Sequence, residues 1–108
     1  MARTYELRTY VAEPGQMDLL LERFRNHTVA LFARHGMTSI GYWLSEKDED
    51  TLVYLLAHED RASAAQSWKA FRADPEWQTV KAHSEKDGPI VRSVTSVFLQ
   101  PTDFSALS

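Results

Sequence analysis

The chain of 108 residues contains no cysteine. That single absence removes a disulfide framework, a thiolate metal site and a cysteine nucleophile together. Glycine is nearly as scarce: there are four, at 15, 36, 41 and 88, and Gly41 is followed by Tyr42-Trp43 rather than by Lys and a hydroxyl residue, so neither a phosphate-cradling loop nor a dinucleotide fingerprint occurs. Nucleotide cofactors are disfavoured on that ground. The four histidines form no HExxH spacing, and the acidic run Glu46-Lys47-Asp48-Glu49-Asp50 lacks the twelve-residue calcium-loop pattern. It reads as a solvated turn, and the motifs predict no metal and no cofactor.

An excess of positive charge is missing as well. Twelve basic residues face fifteen acidic ones, for a net charge of -3, and the arginines are scattered at Arg3, Arg8, Arg23, Arg25 and Arg34. No basic stripe exists for phosphates to follow, which argues against nucleic acid and against an anionic membrane surface as partners. No apolar run is long enough to span a bilayer, and Met1-Ala2-Arg3-Thr4 leads straight into an alternating segment without a stretch of signal-peptide type. A cytoplasmic location is the expectation. What the chain does have is enough apolar and aromatic surface, 44% and 11% of residues, to fill one core at this length but not two. One domain spanning 1–108 follows, with no linker or low-complexity block to divide it.

Hydrophobic periodicity orders the elements. Residues 4–11 alternate, with Tyr5, Leu7, Thr9 and Val11 on one face and Glu6, Arg8 and Tyr10 on the other. After Glu13-Pro14-Gly15, the residues Met17, Leu20, Leu21, Phe24, Thr28, Leu31 and Phe32 recur at spacings of three and four, predicting a long amphipathic helix stopped at His35-Gly36. Strands are predicted at 37–45 and 51–58, joined by the acidic hairpin connection. The nearly continuous apolar character of the second places it at the centre of a sheet. A helix over 61–73 follows, and Asp74-Pro75 restarts a shorter one to about His83, Asp serving as N-cap and Pro at the first helical position. A last strand runs over 90–99 after Asp87-Gly88-Pro89.

This order is that of an α+β, ferredoxin-like βαββαβ unit, a four-stranded antiparallel sheet with its helices on one face. The other face needs an explanation. Period two assigns to it Glu6, Arg8, Tyr10, Tyr54, Leu56, His58, Ile90, Arg92, Val94, Ser96 and Phe98. Such a set is too apolar for water, so a homodimer pairing two open faces into a barrel is expected, with Glu6 matched to Arg8 or Arg92 inside it. A bulge in any strand would exchange its lists.

Tyr5-Glu6-Leu7-Arg8-Thr9-Tyr10, Pro14-Gly15, His35-Gly36 and Ile40-Gly41-Tyr42-Trp43 also carry a resemblance. So do Leu52-Val53-Tyr54-Leu55-Leu56-Ala57-His58, Ser67-Trp68, Phe71 and Asp74-Pro75-Glu76-Trp77. In this order they resemble the NIPSNAP family within the dimeric α/β-barrel group, over almost the whole chain. The resemblance implies a ferredoxin-like protomer and a sheet-to-sheet homodimer, with no agreed catalytic residues. Relatives in the wider barrel group include cofactor-free monooxygenases, haem-dependent enzymes, isomerases and stress-related proteins.

Candidate site residues are few. His35, at the end of the first helix, reads as a general base or haem ligand, or else as a helix-terminal residue bonding the last carbonyls. His58 and Glu6 are the other candidate bases, and a site joining His35 to His58 in space is conceivable. Arg8, Tyr10, Tyr42, Tyr54 and Arg92 combine phenols and guanidinium groups suited to orient an aromatic or enolic ligand, and serve equally as a salt-bridged interface. Trp43, Trp68 and Trp77, with Phe24, Phe32 and Phe71, are expected in the core. Two functions follow: a homodimer binding a small hydrophobic molecule or a protein partner, or a cofactor-independent monooxygenase or isomerase.

Overall fold

Each predicted element forms, within a residue or two at its ends. In the computed structural model, which describes residues 3–108, strand β1 is Thr4–Ala12, β2 Thr38–Leu44, β3 Thr51–His58 and β4 Val91–Leu99. Helix α1 starts as Met17–Arg23, widens into a π-turn over Phe24–Thr28 and resumes as Val29–Arg34; α2 is Arg61–Ala73 and α3 is Pro75–Ser84. Local chemistry sets the boundaries. Gly36 takes φ of 79° just past α1, a conformation without penalty only for glycine, and the Met37 N–H turns back to the Phe32 carbonyl at 2.9 Å. Asp60 and Asp74 cap α2 and α3 by accepting from the N–H groups of Ser63 and Glu76, and Pro75 opens α3. No described helix is long and apolar enough to cross a membrane.

The sheet has the order β2-β3-β1-β4, every pair antiparallel. That is the ferredoxin-like arrangement, with β3 and β1 central. Phe24, Phe32, Tyr54, Trp68 and Phe71 make the aromatic middle of the core, Phe32 meeting Trp68 and Phe71 at ring separations of 5.4 and 5.1 Å. Edge-to-face and tilted contacts of this kind add to the area the rings remove from water. Trp43 departs from expectation. It is 54% exposed and its ring covers Gly41, where a Cβ would come within 2.5 Å of it.

The two strand faces are the reverse of those assigned from periodicity. Glu6, Arg8, Tyr10, Tyr54, Leu56 and His58 look toward the helices: Glu6 accepts from the Trp68 indole, and Tyr10 and Tyr54 meet Phe24. Val94, Ser96 and Phe98 pair with Tyr10, Arg8 and Glu6 and so share that face. Ile90 is buried in the core just before β4, and Arg92 lies at the register shift where Val11 pairs with Ser93 but Ala12 with Val91. The open face instead carries Tyr5, Leu7, Thr9, Val11, Val53, Leu55, Ala57, Val97 and Leu99. Alternation groups residues correctly but says nothing about which group the helices cover. Glu6 and Arg8 lie beneath the helices because each answers the other's charge.

Candidate functional site

The helix-covered face of β1 and β3 holds a closed polar cluster. Glu6 is 1% exposed, and both its oxygens are saturated. Oε1 accepts from His58 Nε2 and Trp68 Nε1, each at 2.8 Å; Oε2 accepts from Ser96 Oγ at 2.6 Å and Arg8 Nη1 at 3.0 Å. Antiparallel register creates this convergence: Arg8 is two residues along the same face, His58 comes from β3, Ser96 from β4 and Trp68 from α2. Burial pushes the carboxyl pKa upward, but the bonds from His58, Ser96, Trp68 and Arg8 outweigh it and hold the group at about 2. Glu6 is therefore an ionised anchor. Facing a carboxylate that offers only acceptors, His58 Nε2 carries the proton, and its Nδ1 is buried without a partner.

Arg8 completes the cluster. Its Nε donates to Tyr54 Oη at 2.8 Å and its Nη2 to Tyr10 Oη at 3.2 Å, while the guanidinium lies 4.1 Å from the Trp68 ring centroid. Burial works against the charged arginine, yet Tyr54, Tyr10 and Glu6 raise its pKa further. Burial, reinforced by Tyr10, also keeps Tyr54 protonated well above the ordinary phenol range, and Tyr54 donates to Tyr10 at 3.1 Å. Tyr42 stacks on Tyr54 with centroids 5.0 Å apart; burial raises its pKa, opposed by a 2.7 Å bond to Ser39. Thus four predicted ligand residues, Arg8, Tyr10, Tyr42 and Tyr54, do come together with Glu6 and His58. Glu6, Arg8, Tyr10 and Tyr54 bond one another, Tyr42 adds a ring stack and bonds Ser39, and His58 keeps its Nδ1 unpartnered.

The remaining candidates lie apart from them. Arg92 is 59% exposed at its side chain and pairs with Glu13 at 3.7 Å. His35 donates to or accepts from neither His58 nor Glu6; its Nε2 contacts Asp74 Oδ2 at 2.7 Å, tying the end of α1 to the start of α3. That bond holds the Asp74 pKa below the ordinary carboxylate value. Ligation of a haem iron through Nε2 would have to break it. Among the described residues no three His, Cys, Asp or Glu side chains gather to hold a metal. Trp68 and Ser96 were missed as cluster members. Their signal was the indole N–H and the hydroxyl, donors that seek an acceptor when buried.

A family model described as NIPSNAP matches residues 5–106. The chain belongs to the NIPSNAP family. Among solved structures, it is similar to a NIPSNAP family protein of unknown function from Agrobacterium tumefaciens strain C58, at 22% identity and a TM-score of 0.86, over 99% of this chain and 95% of that one. An uncharacterised NIPSNAP-like domain protein from Burkholderia xenovorans gives 23% identity and 0.84, over 96% and 89%. A putative antibiotic biosynthesis monooxygenase from Caulobacter crescentus gives 10% and 0.67, over 94% and 92%. These likenesses establish the ferredoxin-like fold of the NIPSNAP chain. No curated protein matches it.

Two of the cavities among the described residues of the NIPSNAP fold lie elsewhere, and neither is lined by Glu6, Arg8, Tyr10, Tyr54 or His58. One of about 470 Å³ separates α1 from α3. The other, about 330 Å³, is bounded by Tyr5, Leu55 and Leu99 of the open face and by Pro101 and Leu107 of the C-terminal segment, which reaches back to place the Ser108 carbonyl 3.5 Å from Tyr5 Oη.

Proposed function

We propose that this NIPSNAP chain acts in the cytoplasm as a homodimer paired through the open face of its sheet, and that it binds a small hydrophobic molecule rather than catalysing a reaction. The observation that carries the reading is the character of that face. Leu7, Val11, Val53, Leu55, Val97 and Leu99 carry no charge, Val97 and Leu99 are 52% and 40% exposed, and Trp43 stands at the edge. Contiguous apolar surface of this kind marks interfaces, and two identical faces related by a two-fold axis close the assembly. The cavity beneath the C-terminal segment, walled by Leu55, Leu99 and Leu107, offers an apolar ligand a place at the end of the same face.

Support for binding over catalysis comes from the three candidate bases. Among the described residues, none of Glu6, His58 and His35 lines either cavity, so none faces a space that a substrate could occupy. A cofactor-independent monooxygenase or isomerase needs a base free to face an aromatic or enolic substrate. Native mass spectrometry of protein purified from its own host tests the proposal. It should give twice the 12.4 kDa chain mass plus a retained apolar molecule. Leu55→Asp should give single chains. A bare dimer would sink the ligand half of the proposal, and an intact Leu55→Asp dimer the interface half.

A further inference from the structure

The segment 101–108 folds back over the sheet face that the helices leave bare. Tyr5 lies on that face yet is only 4% exposed, with its hydroxyl 3.5 Å from the Ser108 carbonyl. Thr102, Ser105 and Leu107 form one side of the 330 Å³ cavity, and Tyr5, Leu55 and Leu99 form its floor. Within the segment the Ser105 N–H donates to the Thr102 carbonyl at 3.2 Å, which closes a turn with Asp103 and Phe104 at its tip. The feet of this turn face the cavity. Its tip is therefore held away from the sheet, toward anything that approaches the open face, and Phe104 is 87% exposed there.

A single exposed apolar side chain is ordinary, and the ring alone names no partner. Charge names one. Asp103 accompanies Phe104 at the tip, while Arg3 stands beside the cavity floor with its guanidinium 5.8 Å from the Tyr5 ring centroid. Both are exposed, and among the described residues neither takes part in an ion pair. The tip thus joins an aromatic ring to an anion, and the cavity mouth joins an apolar floor to a cation. A surface that carries both halves of a contact complements itself, and a two-fold axis satisfies both halves at once.

We propose that the turn tip of each copy is received at the cavity of the other, Phe104 roofing the apolar floor and Asp103 pairing with Arg3. The inference rests on the open-face homodimer and makes the ligand cavity a product of two chains. Asp103→Arg and Arg3→Asp, both at exposed positions, test it by sedimentation of a dilution series. Each variant alone sets like charges together at both contacts and should dimerise about tenfold more weakly than the unmodified chain. Mixed in equal amounts, the two should recover the unmodified affinity as heterodimers, identified by native mass spectrometry, because both contacts then join opposite charges. Mixing could not restore a contact made within one chain. Phe104→Ser should weaken the dimer by about tenfold or more with an unchanged circular dichroism spectrum. Unweakened single variants, mixing without recovery, or a Phe104→Ser dimer of full affinity would each overturn the proposal and leave the open-face dimer standing. An unmodified chain that stays single would overturn both.

Discussion

At Glu6, desolvation and hydrogen bonding pull in opposite directions, and the bonds win. The folded pKa of about 2 lies below the ordinary 4.5, so the folded state binds fewer protons than the unfolded one between those values. Stability from this group is complete above pH 4.5 and is lost as pH falls toward 2. At about 1.4 kcal/mol per pH unit, this amounts to roughly 3 kcal/mol. Urea unfolding followed from pH 6 to pH 2 should show that loss. Glu6→Gln should flatten it and lower stability at pH 7 by about 3–5 kcal/mol, because an amide presents a donor to Arg8 and leaves a buried guanidinium uncompensated. Through these bonds Glu6 ties β1 to β3, β4 and α2.

Among the elements, the helix ends depend on single side chains. Asp74 caps α3 and receives both His35 and Arg34, so Asp74→Ala should lower the unfolding temperature and speed amide exchange at Glu76. Thr28→Val removes the hydroxyl that satisfies the Arg23 carbonyl and should cost about 1 kcal/mol, measurable by thermal unfolding. The sequence marked the first of these and not the second. Asp74-Pro75 and His35-Gly36 are boundary signals that act through nearest neighbours, so they are legible without the fold. A π-turn keeps Phe24 and Thr28 on the buried side of α1 at the same spacing that an unbroken helix would give, so nothing in the spacing announces it.

For the whole molecule, the succession of elements and most of each face's membership are legible in alternation. The register shift that displaces Ile90 and Arg92 from their face is not, nor is the side on which the helices lie. A buried donor on the helix layer would have decided it. Trp68 lies on the same helical stripe as Ala64 and Phe71, and its indole N–H requires an acceptor on the facing strands; Glu6 supplies it. With that assignment the open face loses its charges and becomes a stronger candidate for pairing, since Leu7, Val53, Leu55 and Val97 need no counter-ions to be buried. Val97→Asp should therefore separate the chains, by setting carboxylates into an apolar contact, while leaving the protomer's circular dichroism intact. Most direct is the mass of the unmodified protein by light scattering at micromolar concentration. The account predicts about twice 12.4 kDa, and a single-chain mass would contradict it.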